Sequence, residues 1–192
     1  RLSKLLLRQG IVDSGGTPWT CVHEEWLRRQ RFSDIHLKAA FDHSFDAVLA
    51  ATAARDRLDE QILVVAASPR FADPVNRLGC LRGISALTGL ALTVEIGDWS
   101  RFTGSSIGAY VGLVPSEFSS GTSRVQGSIT KAGNIHVRRL LIEAAGHHRK
   151  SSSTSGPSLR ARWATVDPAL RARGHAGNRR LYGRWQGFTE RK

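Results

Sequence analysis

Cysteine and methionine are nearly missing from this 192-residue sequence, which has 2 cysteines, Cys21 and Cys80, and no methionine. Two cysteines cannot build a disulfide framework or a four-ligand zinc site, so a reducing, cytoplasmic setting is expected. Long hydrophobic runs are missing too. The longest goes from Ile62 to Ala67, far short of the roughly 18–20 apolar residues that cross a bilayer. No basic stretch leading into an apolar one of the secretory type is present, and no membrane partner is expected. Acids are scarce in the last third. Residues 124–192 hold 15 Lys+Arg against Glu143, Asp167 and Glu190, whereas residues 1–123 hold 13 of each sign. The whole formal net charge of +12 therefore belongs to the final third. Such a block seeks a polyanion, and nucleic acid is the commonest one. Binding of that kind weakens with salt through counterion release. The competing reading is a solvated basic tail, because 23 of the 28 cations are arginine.

What is present is a foldable chain. Hydrophobic residues are 41% and charged residues 23%, which excludes a disordered polyelectrolyte, and the length allows one domain or two small ones with a real core. The chain opens on Arg1, and the expectation is a piece of a longer protein. Leu2 to Arg8 reads as helix, stopped by Gly10. Asp13 to Thr20 is a loop of turn formers, and Thr20 is placed to cap a helix through Arg31. From Asp34, the apolar positions Leu37, Phe41, Phe45, Val48, Ala51, Ala54, Leu58, Ile62 and Val65 recur at three- and four-residue spacing. They predict one amphipathic helix to about Ala67, long enough to pair as a helical hairpin or coiled coil; a second copy of the chain is a candidate partner for it. Ser68-Pro69 ends it.

A second block follows. Asp73-Pro74 starts a helix through Leu81, Gly83-Ile84-Ser85 makes a turn, and Ala86 to Ile96 forms the next helix, closed by Gly97. This is the outline of a helix-hairpin-helix, although Ser85 stands where a second glycine is expected, and an ordinary helical hairpin reads as well. Ser105 to Leu113 is a short helix before Pro115. Ser116 to Thr130 reads as a loop with room for a short hairpin. Asn134 caps a helix to about His147, with Ile135, Leu140, Leu141, Ala144 and Ala145 on its buried side. Ser151 to Pro157 reads as a flexible linker, and residues 158–192 have helical patches with too little apolar content for a core of their own. The organisation is therefore mainly α: a helical linker over 1–69, a compact helical domain over 70–150, and a linker with a basic tail over 151–192.

One segment concentrates chemistry. Ser119 and Ser120 precede Gly121, a residue that permits unusual turns and close backbone approach. Arg124 and Lys131 bracket the loop, Asn134 opens a helix whose first N–H groups and dipole attract anions, and Arg138 and Arg139 lie one turn on. The set suits a phosphate near a hydroxyl; a passive phosphate-binding loop fits the spacing as well as a serine nucleophile does.

The string Gly112-Leu-Val-Pro-Ser-Glu-Phe-Ser-Ser-Gly121, followed by Arg124, Gly127, Ile129-Thr-Lys-Ala-Gly-Asn134 and Val137-Arg-Arg-Leu-Leu-Ile-Glu-Ala-Ala145, resembles the C-terminal transposase domain of the bacterial insertion-sequence one-ten family, which is similar to the pilin-gene DNA invertases. The segment from Leu81 to Phe102 resembles the part before it, and the first 67 residues resemble the family's coiled-coil linker. The resemblance implies a site-specific DNA recombinase guided by a structured RNA. It implies that Ser120, with Ser119 as the rival, attacks a DNA phosphodiester; Gly121, Arg124, Lys131, Asn134, Arg138 and Arg139, the set read above as suited to phosphate, are expected to bind nucleic acid. It also implies an N-terminal RuvC-like domain with acids for Mg²⁺, which this chain is expected to lack. No cofactor is expected in this piece, and Mg²⁺ is expected in the whole enzyme. The expected partners are duplex DNA and a guide RNA, in a nucleoid-associated cytoplasmic setting. The alternative is a non-catalytic DNA- or RNA-binding module left from a decayed mobile element.

Other signals carry less. Gly104-Ser-Ser-Ile-Gly108 fits a hydrolase elbow without the strand that elbow needs. His136, His147 and His148 have no metal-ligand spacing. Glu95 and Asp98 read as surface or capping acids. Trp163, Tyr182, Trp185 and Phe188 are interleaved with arginines and suit either base stacking or docking against other domains.

Overall fold

A computed structural model describes residues 1–13, 15–151 and 155–191. The expected linker from Ser151 to Pro157 lies partly outside the described residues, as does Ser14 of the first loop. The chain is mainly helical and divides into two compact units, residues 1–59 and 60–192. The sequence reading places its first boundary ten residues later, where the long helix ends.

The first unit begins with α1 (Leu2–Arg8) and α2 (Cys21–Arg28). The Thr20 hydroxyl caps α2 by accepting from the His23 amide, and Glu24 sits in the first turn, where the helix dipole favours an acid. The α2 helix stops at Arg28, one turn before the expected Arg31. The third helix, α3, runs Ile35–Ala66, opened by the Asp34 carboxylate, which accepts from the His36 and Leu37 amides. The core of this unit is Leu2, Leu6, Leu27, Phe41 and Phe45. The apolar stripe read along α3 is thus buried at Phe41 and Phe45, while Ala51 and Leu58 are exposed.

The second unit begins with the end of α3 and continues with α4 (Ala72–Gly79) and α5 (Ala86–Ile96). Ser85 is the N-cap of α5, its hydroxyl accepting from the Thr88 amide at 3.1 Å. After the short α6 (Ser106–Tyr110) come β1 (Pro115–Glu117) and β2 (Gln126–Ile129), then α7 (Ile135–Gly146), α8 (Pro157–Ala164) and α9 (Pro168–Thr189). Its main core joins Ile84, Leu92, Ile96, Val111, Val137 and Ala144, and a smaller cluster joins Ala66, Val75 and Leu90. Among the described residues no helix is long and apolar enough to cross a membrane.

The last third departs from a tail. Residues after 157 do not make a core of their own, yet they complete that of the second unit. Leu159 is buried, the Trp163 indole N–H donates to the Cys80 carbonyl at 3.1 Å, and Arg162 Nε donates to the Gly79 carbonyl at 3.1 Å. Polar contacts do here what apolar periodicity does elsewhere, which is why the sequence reads as tail.

Candidate functional site

The paired serines lie on a β-hairpin. β1 and β2 pair antiparallel, with Pro115 opposite Ile129 and Glu117 opposite Gln126, and the ladder is irregular between these pairs. Beyond it Phe118 N donates to Val125 O at 2.9 Å, and Ser120 and Ser123 exchange both backbone hydrogen bonds, at 3.1 and 3.0 Å. The tip is therefore the two-residue loop Gly121-Thr122. Gly121 has φ +55°, and a glycine first in such a loop matches the right-handed twist of the strands. Every residue from 117 to 128 is exposed.

The two serines differ in their surroundings. The Ser119 hydroxyl donates to Glu117 Oε1 at 2.7 Å and accepts from the Val125 amide at 3.1 Å. It is part of the hairpin's own bonding. Ser120 is exposed beside the tip, and its hydroxyl makes no hydrogen bond among the described residues. Arg124 Nε lies 3.7 Å from Glu117 Oε1, so this arginine shares a carboxylate with Ser119.

The base of the hairpin is held by backbone packing. Val114 O accepts from Thr130 N at 2.9 Å, and Gly112 O from Lys131 N at 3.1 Å. Gly112 and Gly133 have φ +67° and +73°. A methyl on Gly112 would overlap the Ala132 backbone, and one on Gly133 the Tyr110 carbonyl oxygen. Two backbones thus lap each other where side chains would hold them apart. Lys131 also adopts φ +56°, unusual for a residue with a side chain. Its ammonium is exposed and in no ion pair among the described residues.

Arg138 is the support of this lap. It is 9% exposed, and its Nη1 donates to Val111 O and to Ala132 O, both at 2.8 Å. The guanidinium, expected on the nucleic-acid side of the site, here ties the end of α6 to the segment before α7. Arg139, its neighbour, is exposed and lies 3.5 Å from Glu143 one turn on.

Asn134 caps α7, its Oδ1 accepting from the Val137 amide at 3.0 Å. Its Nδ2 donates to Glu95 Oε2 at 2.7 Å, and His136 Nδ1 lies 2.9 Å from Glu95 Oε1. Glu95 comes from α5, so an acid of the protein already stands at the positive end of α7. The His136 and Asn134 hydrogen bonds hold its carboxyl below the usual carboxylate range. This end of α7, expected to attract a phosphate, is thus supplied with its own anion.

The structure brings Ser119, Ser120, Gly121 and Arg124 onto one hairpin and puts Lys131 and Asn134 at its root. Arg138 is withdrawn into the interior, and Arg139 lies along α7. Sequence reading missed Glu117 and the bridging role of Glu95. For Glu117 the signal was period-2 spacing to Ser119 on a strand; for Glu95 no signal local in sequence exists, since its partners are about 40 residues away. Among the described residues no three His, Cys, Asp or Glu groups converge as a metal site requires.

The hairpin stands on a basic helical unit, and the sheet among the described residues is this antiparallel pair, without the parallel strand a hydrolase elbow needs. The comparisons then give the family. The model of the IS116/IS110/IS902 transposase family matches residues 75–164, and this segment belongs to that family. The chain is similar to y4qE of Sinorhizobium fredii, assigned as a transposase, at 30% identity over 150 residues, covering 78% of this chain and 35% of that protein. It is similar to the transposase for insertion sequence element IS1533 of Leptospira borgpetersenii at 29% identity over 155 residues, 78% of this chain and 44% of that one. The transposase for IS1111A of Coxiella burnetii is 34% identical over 88 residues, 45% of this chain and 23% of its own. The chain thus spans about a third to under half of the first two relatives.

Proposed function

We propose that this chain is part of a DNA transposase in which the Ser120 hydroxyl attacks a DNA phosphodiester. The oxygen of Ser120 bonds to phosphorus, the serine proton passes to a base, and one DNA strand leaves as a free hydroxyl end. The product is a phosphoserine link that a second DNA hydroxyl reverses in the joining step. The observation that carries the choice of residue is the contrast between the serines: Ser119 is bound on both sides within the hairpin, while Ser120 stands exposed beside Gly121. A serine hydroxyl is weak until a base or metal activates it. No side chain among the described residues is hydrogen-bonded to that of Ser120, and the described residues form no metal site. The described residues thus supply no group of three ligands for the Mg²⁺ expected of a whole transposase. On this reading the present chain binds nucleic acid without breaking it, and a structured guide RNA is a proposed partner alongside duplex DNA.

The test is a full-length transposase carrying this segment, incubated with end-labelled target DNA and resolved under denaturing conditions. Ser120→Ala is expected to abolish the covalent protein–DNA band with helix content unchanged, while Ser119→Ala keeps a weaker band. A band that persists in Ser120→Ala and vanishes in Ser119→Ala reverses the assignment.

A further inference from the structure

The proposed chemistry makes no use of α9. Its 22 residues hold Arg171, Arg173, Arg179, Arg180 and Arg184 and no acid. All five arginines are exposed, and none is in an ion pair among the described residues. They are not spread evenly around the helix. At 3.6 residues per turn, Arg173, Arg180 and Arg184 fall within a strip about 40° wide, while Arg171 and Arg179 point elsewhere. The strip covers about 16 Å along the axis at 1.5 Å per residue.

The rotation of α9 is set by its buried side. Gly174 lies so close to Cys80 that a methyl there would overlap the Cys80 Cβ. Asn178, 2% exposed, accepts from the Arg82 amide at 2.9 Å and donates to the Cys80 carbonyl at 3.0 Å; its Oδ1 also lies 3.1 Å from His148 Nε2. One amide therefore reads a donor and an acceptor of the turn after α4. A turn of α9 by one residue would break every one of these bonds and swing the arginine strip by about 100°.

We propose that this strip is a docking surface for the phosphate backbone of duplex DNA. The proposal rests on the reading of the chain as part of a DNA-handling transposase but is independent of Ser120. Three arguments favour a duplex over other polyanions. The strip has one sign of charge, and arginine forks match phosphate oxygens. Its carrier is a helix of about 33 Å at 1.5 Å per residue, fixed in rotation before it meets a ligand. The B-form major groove is wide enough for such a helix, whereas the deep, narrow major groove of A-form RNA is not.

The experiment uses the whole chain, a short DNA duplex and an RNA hairpin, with affinity measured across a salt series. The triple variant Arg173→Gln/Arg180→Gln/Arg184→Gln is expected to lose about tenfold or more in duplex affinity, and its log K against log salt slope should flatten by about 2.7, or 0.9 for each lost phosphate contact. The double variant Arg171→Gln/Arg179→Gln should flatten it by less than half as much. The corresponding triple lysine variant keeps the charge, so its slope should stay near that of the parent chain. An unchanged slope in the triple glutamine variant overturns the proposal, as does an equal loss per arginine in the double variant or a loss confined to the RNA hairpin. If the parent chain binds no duplex at any salt, the proposal and the DNA-handling reading fall together. If the parent binds and the triple glutamine variant matches it, only the strip is refuted.

Discussion

Ser119 and Ser120 are adjacent in sequence and both exposed, yet only the Ser119 hydroxyl is bonded within the hairpin, to Glu117 and the Val125 amide. Gly133 permits a backbone contact with Tyr110 that no side chain allows, so Gly133→Ala is expected to destabilise the second unit by about 2–4 kcal/mol, measured by urea unfolding. Glu95 gives a pH-dependent signature. Its folded carboxyl lies below the usual range because His136 and Asn134 hydrogen-bond it. A depressed carboxyl adds stability above its unfolded pKa of about 4.3, and this is lost as pH falls through the lower folded value. The parent chain should therefore exceed Glu95→Gln in urea midpoint at neutral pH, with the gap closing below about pH 4. Neither residue announces itself in the sequence. The partners of Glu95 come from another helix, and the glycine lap depends on which backbones meet. The paired serines beside Gly121 stood out by residue type, whereas the preference for Ser120 over Ser119 came only from a string resembling a family. The reading of α7 expected a buried side but put Ile135 and Ala145 on it, where the structure buries Val137, Arg138 and Ala144.

At the scale of elements, ends were more legible than interiors. Thr20, Asp34, Ser85 and Asn134 each cap the helix they precede, since a short polar side chain before an apolar run has a local partner in the first turn. The length of α3 followed from its periodicity, but which part of its stripe is covered did not, because Phe41 and Phe45 are buried by α1 and α2. The helix α9 was legible least. It is rich in arginine and glycine and poor in apolar residues, so no periodic stripe marks it, and its docking depends on one buried amide. Asn178→Ala leaves the Arg82 amide and the Cys80 carbonyl without that partner. It is expected to cost about 2–3 kcal/mol and to raise hydrogen exchange along α9 well above that of α5, as mass spectrometry of the peptides would read.

Across the whole chain the charge is divided as the units are. Residues 1–59 hold 9 Lys+Arg and 8 acids, whereas residues 60–192 hold 19 and 8. The polyanion-seeking part is therefore the unit that carries both the hairpin and α9. Cys80 reports on the integrity of that unit, with Cys21 of the first unit as the reference thiol. Cys21 is exposed, while Cys80 is buried and its thiol pushed up by burial. In the intact chain one thiol is expected to react quickly with an aromatic disulfide reagent and one slowly. In a variant ending at residue 156 both should react quickly, since α8 and α9 supply the contacts at Cys80, and its melting temperature should fall by several degrees. Two slow thiols, or an unchanged second rate after truncation, would contradict this packing.

The hairpin that carries Ser120 is exposed from residue 117 to 128 and contributes the two short strands of the described residues, against nine α-helices among them. Its amides are a small share of the peptide chromophores, so circular dichroism is almost blind to its state. A serine variant can thus keep the full helical spectrum and the same melting curve while its tip has come apart. The reporters that distinguish lost chemistry from lost shape are the amide protons of Ser120 and Ser123, which cross the tip to each other's carbonyls. Slow solvent exchange at those two positions is the mark of a closed loop, and any inactive variant at Ser120 is interpretable as a missing nucleophile only when Ser123 still shows it.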